Sequence, residues 1–259
     1  MEALESIINK ILEKKELKGV SEETVRSFLN SYMKKHSMTE SKIQALTENG
    51  KKVIIKDARA HLRNLVGRFH LKESKRKGFL IKKSWPDLLK THTSTKERLE
   101  FYPKLKEYIY SLNPASILDL GCGLNPIAIA EPSVTYYASD INNSDLDAVR
   151  EYFKSRGIKG KVFFYDITLS QKDLPKADVV LMLKLVDFLE KISPKLTERL
   201  LSSLEFKHLI VSFSTRKLSG KRMGSPDRKL FENLCKYNNY SFTKLEFDNE
   251  IFYHVQAKD

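Results

Sequence analysis

A glycine-rich turn after a short apolar run contains the first residues with an evident chemical use. Residues 117–126 read ILDLGCGLNP, so that Asp119 stands just before Gly121 and Gly123. Glycines permit a tight turn and close approach of the backbone to a ligand, and Pro126 suits the first position of a helix. A nicotinamide dinucleotide fingerprint needs a third glycine where Pro126 stands. The sequence therefore predicts a nucleotide-type loop that need not bind phosphate, with Asp119 holding an ammonium group directly or through water.

Two more acids end later apolar runs. Asp140 ends TYYASD, Asp166 ends KVFFYD, and Ile141 and Ile167 follow them. An acid at the end of a second strand can accept hydrogen bonds from ribose hydroxyls, and an acid at the end of a third can accept one from the exocyclic amine of adenine. Each acid taken singly could equally cap a turn. Together, in this order, the three acids describe a ligand with a cationic amino acid, a ribose and an adenine, which is S-adenosylmethionine.

Seven β-rich runs are predicted to position these acids, at residues 116–120, 134–139, 161–165, 178–183, 208–213, 240–247 and 251–256. The first five are separated by segments long enough for right-handed crossovers, which indicates a parallel sheet. The last two are joined by residues 248–250, which read as a hairpin turn. We therefore expect an α/β fold with a Rossmann-like, seven-stranded doubly wound sheet. Ligands of such sheets bind at the carboxyl ends of the strands, at the topological switch point.

The N-terminal segment is predicted to be helical and strongly basic. Apolar residues at helical spacing indicate helices within 4–12, after a Ser21 N-cap, and within 54–66, whereas residues 72–78, KESKRKG, read as a charged loop and hinge. Residues 51–90 contain 13 basic residues against 3 acidic ones, a net +10 of the chain's +13. We interpret residues 1–83 as a helical RNA- or ribosome-docking domain and residues 84–259 as the domain with the ligand site.

Two basic patches are the predicted contacts with a nucleic acid. Each neutralised phosphate releases counterions and adds affinity, so clustered positive charge indicates a polyanion partner, although a basic run can also be only a solvated surface. The second patch, residues 216–229, has 6 basic residues against 1 acid, a net +5. The predicted RNA-binding residues are Lys52, Lys56, Arg59, Arg63, Lys75, Arg76, Lys217, Lys221 and Arg222.

Several classes of protein are excluded by what the sequence lacks. The longest apolar stretch, 179–189, is interrupted by Lys184 and Asp187, whereas a membrane span needs about 20 mostly apolar residues. The first segment has acids where a secretory signal carries positive charge. Cys122 and Cys235 are too few for a disulfide framework, and no Cys/His cluster has zinc spacing. We expect a cytoplasmic monomer without a metal site or membrane contact.

Five motifs resemble one specific family: HTSTKER (92–98), DLGCGLNPIAI (119–129), SDI (139–141), LMLKLVDFLE (181–190) and SFSTRKLSGK (212–221). They are similar to those of the aminoglycoside-resistance 16S rRNA methyltransferases that modify guanine N7 in the ribosomal decoding site. The resemblance covers about residues 84–259. It implies a class I S-adenosylmethionine-dependent methyltransferase whose helical N-terminal part helps it to dock on 16S rRNA in the assembled 30S subunit.

The resemblance also implies roles for single residues. Arg98 would pair with the cofactor carboxylate, Asp140 with its ribose, and Asp166 would lie near the adenine, while Lys184 and Arg216 would bind rRNA or position the target base. The residues themselves agree in part, because Lys184 directly follows an apolar strand and a guanidinium can bind a carboxylate with two hydrogen bonds. Ser-x-x-Glu at 94–97 also fits a capping box. The resemblance breaks at 224–228, GSPDR, which leaves the exact target nucleotide and any resistance phenotype open.

The expected chemistry follows from what is missing. Guanine N7 carries a lone pair and no proton, so methylation there needs alignment and no general base. Attack at a pyrimidine carbon would need a catalytic cysteine, and an exocyclic amine target usually goes with an Asn/Asp-Pro-Pro-aromatic motif, where this chain reads LKLV at 183–186. Alternatives remain: another RNA base such as adenine N1 or a tRNA site, or a non-catalytic ribosome-binding or assembly protein. A nicotinamide-dependent oxidoreductase is the least favoured.

Overall fold

The structure, a computed structural model, describes residues 2–14, 17, 19–63, 73–168, 173–216, 228–247 and 249–257. The helices before the sheet are α1 (Glu2–Leu12), α2 (Glu22–Lys35), α3 (Glu40–Gln44), α4 (Glu48–Leu62), α5 (Glu73–Ile81), α6 (Trp85–Leu89), α7 (Thr93–Arg98) and α8 (Tyr102–Ser111). The strands are β1 (Ser116–Leu120), β2 (Thr135–Asp140), β3 (Lys159–Phe164), β4 (Ala177–Leu183), β5 (Phe206–Ser214), β6 (Tyr240–Phe247) and β7 (Glu250–Ala257). Between them lie α9 (Asn125–Ile129), α10 (Asn143–Arg156), α11 (Val186–Ile192), α12 (Pro194–Ser203) and α13 (Lys229–Tyr237). Among the described residues, no helix is both long enough and apolar enough to cross a bilayer.

The strands form one sheet in the order β3-β2-β1-β4-β5-β7-β6. Strands β1 to β5 pair in parallel, and β7 is antiparallel to both β5 and β6. The chain builds outward from β1 on one side and resumes with β4 on the other, so the topological switch point lies between β1 and β4. The predicted seven-stranded doubly wound sheet is confirmed, and each predicted strand end lies within two residues of the observed one.

Alternation along the central strands supplies an apolar core on each face of the sheet, because successive strand side chains point in opposite directions. Ile117, Val179 and Leu181 face the core that contains α8 and α10. Leu118 and Val180 face the core that contains α11, α12 and α13. The two faces together fix the strand register, since a shift by one residue would exchange their side chains. Because β2, β1 and β4 are adjacent and parallel, their carboxyl ends lie side by side at one edge of the sheet.

The first four helices have a separate apolar core. Its buried members are Leu4, Ile7, Ile8, Ile11, Leu17, Val20, Val25, Leu29, Ile43, Ile54, Ile55, Ala58 and Leu62. The predicted N-cap is confirmed, because the Ser21 side chain accepts a hydrogen bond from the Thr24 N–H at 3.1 Å. Ile141, which follows β2, packs against this core. The N-terminal helices therefore contact the sheet beside the end of its second strand.

The prediction of a charged loop at residues 72–78 is wrong, because helix α5 occupies most of this segment. Residues 73–78 are helical, and Lys72 lies outside the described residues. Phe79 and Leu80 pack against the cluster of Trp85 and of Ala148 on α10. A helix forms here because these apolar side chains have a surface to cover, which a reading of the charges alone does not reveal. The division of the chain at residue 83 stays a prediction.

Two glycines test how closely the elements pack. Gly160 on β3 has a φ of 133°, and an added Cβ would lie 1.9 Å from the carbonyl oxygen of Tyr136 on β2. We expect Gly160→Ala to lower the free energy of unfolding by about 2 kcal/mol or more, because the clash and the unfavourable φ must both be relieved. Urea unfolding followed by circular dichroism measures the change.

Gly78 is the matched control, since an added Cβ on this α5 residue would meet no atom within 4 Å. We expect Gly78→Ala to raise the free energy of unfolding by about 0.5–1 kcal/mol, because alanine is the better helix former. Equal losses from Gly160→Ala and Gly78→Ala would contradict the packing described here.

Candidate active site

A cleft opens at the carboxyl ends of the central strands, beside the switch point. It encloses about 840 Å³ when the open space at its mouth is counted. Its lining comes from α7, from the turn after β1, from the ends of β2 and β4, from the segment after β3, and from α11. Of the residues that the sequence singled out, the lining includes Arg98, Gly121, Gly123, Asp140, Ile141, Asp166, Ile167 and Lys184.

The turn after β1 requires both of its glycines. Gly121 and Gly123 have φ values of 63° and 49°, in the left-handed region that side chains disfavour. A Cβ on Gly121 would lie 3.1 Å from Leu185 Cδ1, and one on Gly123 would lie 3.0 Å from His92 Nε2. The predicted tight turn is confirmed, and it leaves backbone rather than side chains on this wall of the cleft.

The acids at the ends of β2 and β3 are held by local hydrogen bonds. The Gly123 and Asn142 N–H groups donate to the two carboxylate oxygens of Asp140, at 2.8 and 2.9 Å. Burial and the charge of Asp145 raise the pKa of Asp140 to about 6, and the backbone donors oppose that rise. The N–H and hydroxyl of Thr168 both donate to one oxygen of Asp166, at 2.9 and 2.6 Å. Both carboxylates are thus oriented before any ligand arrives.

Asp119 is a residue of β1, just before the glycine turn. Its side chain is fully buried and is not part of the described cleft lining. The Tyr136 hydroxyl donates to one carboxylate oxygen at 2.9 Å, and burial raises the pKa of Asp119 to about 7. Asp119 does not line the described cleft, and the prediction that it holds an ammonium group, directly or through water, stays a prediction.

Arg98 forms a buried ion pair that the sequence did not reveal. Its Nε donates to both oxygens of Glu250 at 3.0 Å, and its Nη2 donates to Oε1 at 2.7 Å. Its Nη1 donates to Asn125 at 3.1 Å, and the Tyr102 hydroxyl donates to the same amide oxygen. Arg98 therefore lines the cleft with a carboxylate partner already present. Its pairing with a cofactor carboxylate stays a prediction.

Glu250 and Asn125 are the site residues that sequence reasoning missed. Glu250 was read as part of a hairpin turn, yet it is the first residue of β7, pairs with Ser214 of β5 and is fully buried. The signal was an acid directly before the apolar run 251–253, since a buried acid needs a cation. The capping box at Ser94 is also wrong, because α7 begins at Thr93.

Lys184 reaches the cleft, whereas Arg216 does not. Lys184 has a φ of 58°, and its backbone N–H donates to the Ser212 carbonyl at 3.1 Å. Its ammonium group is paired with Glu97 and lies 3.3 Å from Glu250. Arg216 is exposed beyond the end of β5 and is not among the described lining residues. The structure brings one of the two predicted catalytic residues to the cleft.

Neither cysteine is placed as a nucleophile. Cys122 is buried in the turn after β1, where burial raises the pKa of its thiol well above the usual value. Cys235 is buried on α13, where burial raises its pKa to about 12. Both thiols stay protonated at neutral pH, so they are poor nucleophiles.

The predicted RNA-binding residues within the described part of the chain differ in exposure. Lys52, Lys56 and Arg63 on or just after α4, and Lys75 on α5, have exposed side chains. Arg59 is half-buried and donates to the Lys10 carbonyl of α1, so it fastens α4 to α1.

Arg76 is only 5% exposed and forms an ion pair with Asp145 of α10. Its prediction as an RNA-facing residue is wrong, because a guanidinium buried against a carboxylate is not available to phosphate. The three predicted residues of the second patch, Lys217, Lys221 and Arg222, lie outside the described residues.

A comparison with protein-family models identifies the family of this chain. The model of the ribosomal RNA methyltransferase family FmrO matches residues 50–255. The chain belongs to this family. The matched region contains the glycine turn, the acids after β2 and β3, and Lys184.

Known proteins and structures similar to this FmrO-family protein match it over different fractions of its length. A 16S rRNA (guanine(1405)-N(7))-methyltransferase of Frankia casuarinae is 30% identical over 65% of this chain and 62% of its own, so the match spans less than two thirds of that relative. A Serratia marcescens protein with the same name is 28% identical over 84% of this chain and 83% of its own. The structure of the 16S rRNA methyltransferase RmtF with S-adenosyl-L-homocysteine is 25% identical, covers 100% of this chain and 99% of its own, and has a TM-score of 0.81.

The buried ion pair gives a stability prediction for this FmrO-family protein. Arg98→Met leaves the Glu250 carboxylate buried without its guanidinium, and we expect the free energy of unfolding to fall by about 3–5 kcal/mol. Arg98→Met/Glu250→Gln removes both charges and should recover most of that loss. The control is Arg150→Met, which breaks an exposed pair with Asp147 and should cost less than about 1 kcal/mol. Denaturant unfolding measures all three, and a double variant as unstable as Arg98→Met would contradict this reading.

Proposed function

We propose that this protein transfers a methyl group from S-adenosylmethionine to N7 of a guanine in the decoding site of 16S rRNA. The observation that carries the proposal is the placement of Asp140, Asp166 and Lys184 in one cleft at the switch point of an rRNA methyltransferase family member. Two relatives, from Frankia casuarinae and Serratia marcescens, are named for guanine N7 methylation of 16S rRNA. The resemblance found in the sequence points to the same reaction.

The cleft residues fit S-adenosylmethionine. Asp140, oriented by two backbone N–H groups, still has carboxylate lone pairs for ribose hydroxyls, and Asp166 can accept from an adenine amine. The glycine turn lets a ligand approach the backbone closely, and Phe188 and Leu189 supply an apolar wall. When bound, the cofactor supplies a methyl group activated by the adjacent sulfonium.

The acidic residues near the cleft are arranged as expected for a target atom that carries no proton and needs no general base. Guanine N7 needs alignment and no general base. Glu250 is engaged by Arg98, and Asp119 is enclosed behind the sheet, so these two buried acids are not placed to accept a proton from a base in the cleft. Lys184 follows β4 and is paired with Glu97. When that ion pair opens, its ammonium group can orient the target base or its phosphate.

The substrate is 16S rRNA within the assembled 30S subunit, with residues 1–83 as the docking domain and residues 84–259 as the methyltransferase domain. The exposed basic residues of α4 support this division, because clustered lysines and arginines bind a phosphate-rich surface without reading its sequence. The protein is proposed to act as a monomer. Ribosomes place the reaction in the cytoplasm, and the modification would protect the decoding site against aminoglycosides.

Methyl transfer is the direct test of this function. Purified protein and labelled S-adenosylmethionine are expected to modify 30S particles at one guanine, with Asp140→Ala abolishing transfer because the ribose acid is lost. Mapping of the modified nucleotide distinguishes guanine N7 from adenine N1, and tRNA serves as the competing substrate. Good binding of S-adenosyl-L-homocysteine with no transfer to any RNA would favour a non-catalytic ribosome-binding protein. Expression in an aminoglycoside-sensitive host tests the resistance phenotype.

Charge reversal separates docking from cofactor binding. We expect Lys52→Glu/Lys56→Glu to weaken 30S binding by about tenfold or more at physiological salt and to lower its salt dependence, since two phosphate contacts are lost. Sedimentation with 30S particles over a range of salt concentrations measures both effects. The control is Lys104→Glu/Lys154→Glu, exposed lysines of α8 and α10 outside the proposed docking surface, which should bind as the wild type does. Equal losses in both double variants would indicate a general effect of net charge.

A further inference from the structure

Helix α5 contacts the cofactor side of the protein through a buried ion pair. Arg76 Nη2 donates to Asp145 Oδ1 in the first turn of α10, and it lies 3.4 Å from the Ser144 carbonyl oxygen. The two side chains are 6% and 3% exposed. Asp145 itself lines the cleft. Arg76 is therefore a residue of the N-terminal segment that touches a wall of the proposed cofactor site.

A second contact reaches the same wall from the turn between α1 and α2. The Asn143 N–H donates to the Gly19 carbonyl at 3.0 Å, and Val20 forms an isolated antiparallel bridge with Asn142. An added Cβ on Gly19 would lie 2.6 Å from Asn142 Oδ1. That oxygen is not free to move, because it caps α10 by accepting from the Ser144 and Asp145 N–H groups at 3.0 and 3.3 Å.

Both contacts lead to the ribose acid. The Asn142 N–H donates to Asp140, so any displacement of Asn142 alters the orientation of that carboxylate. The charge of Asp145 acts on Asp140 as well. Near the third strand end, His61 of α4 is within electrostatic range of Asp166, whose charge opposes the lowering of the pKa of His61 by burial. Residues of the N-terminal segment thus contact the wall that holds Asp140, and one of them is within electrostatic range of Asp166.

We propose that the N-terminal segment is a structural part of the cofactor site, with Arg76 as a positioning residue that holds residues 140–145 in the conformation that binds ribose. The proposal rests on the proposed cofactor and deepens it. Its consequence is that cofactor affinity depends on the same segment that docks on rRNA. Arg76 acts through Asp145 and the α10 cap, and it is not a contact with RNA phosphate.

Variants that remove one or both charges of the Arg76–Asp145 ion pair test the role of Arg76. Without the guanidinium, the buried Asp145 carboxylate loses that counter-charge beside Asp140, and the first turn of α10 must shift or take in water. Lysine retains the charge in a similar place, although without the planar fork of arginine. Removing both charges leaves no uncompensated group, so the double variant should behave more like the wild type than the single variant does.

The experiment is calorimetry of the full chain with S-adenosyl-L-homocysteine as the probe. We expect Arg76→Met to weaken binding by about tenfold, Arg76→Lys by less than about threefold, and Arg76→Met/Asp145→Asn by less than Arg76→Met alone. The control is Arg26→Met, which breaks ion pairs with Glu5 and Glu22 inside the N-terminal segment, away from the cleft. It should lower the melting temperature and leave the affinity unchanged.

Gly19→Ala tests the second contact without altering any charge. We expect it to weaken binding of the same probe by about threefold to tenfold, because Asn142 must move from its capping position. Melting temperatures measured for every variant separate unfolding from loss of affinity, and Arg76→Lys keeps the test informative if Arg76→Met does not fold. If both Arg76→Met and Gly19→Ala bind with wild-type affinity, this inference is overturned, whereas the proposed cofactor is not. Absence of binding by the wild type would overturn the proposed cofactor as well.

Discussion

The ion pair between Arg98 and Glu250 is the interaction on which the cleft depends. It joins α7 to β7 across 152 residues of sequence, inside a part of the protein that water does not reach. Burying two charges is unfavourable unless each has enough additional hydrogen bonds. Here Asn125, Ser212 and Lys184 supply them, and these residues stand in the helix after the glycine turn, in β5 and at the end of β4. The same requirement therefore holds the antiparallel hairpin, two central strands and the turn around one cavity.

The features that the sequence predicted well are those with a local physical cause. The strands are short runs rich in apolar residues, and the glycine turn needs positive φ at Gly121 and Gly123, so both can be read from neighbouring residues. The errors concern charged residues that are buried. Arg76 carries no local sign of burial, and Glu250 carries only its place before an apolar run, because the partners that satisfy these two residues lie 69 and 152 residues away. Helix α5 was missed for a related reason, since its apolar face matches a surface that only the fold creates.

Charge in this protein is sorted by function rather than spread over its surface. The proposed cofactor site contains Asp140 and Asp166, which suit hydroxyl and amine donors, while the exposed face of α4 has Lys52 and Lys56. The lysines of α4 lie outside the cleft, whereas Lys184 lies inside it, so phosphate contacts on α4 would leave the cleft open for the cofactor. Residues that were assigned to the basic patch from sequence, such as Arg76, belong to the boundary between the two regions and neutralise an acid there.

That boundary explains how docking and cofactor binding can influence each other without a separate hinge. Helix α5 packs on α6 and α10 through apolar side chains, and its arginine holds the first turn of α10, so α5 and the loop at 140–145 move together or not at all. Under the proposed function, a docking event that shifts α5 would change the free energy of cofactor binding, and by thermodynamic linkage the cofactor would change the docking affinity by the same factor. A coupling free energy between two sites is typically about 1–3 kcal/mol. A docking segment that merely tethered the rest of the chain would give no coupling between the two sites.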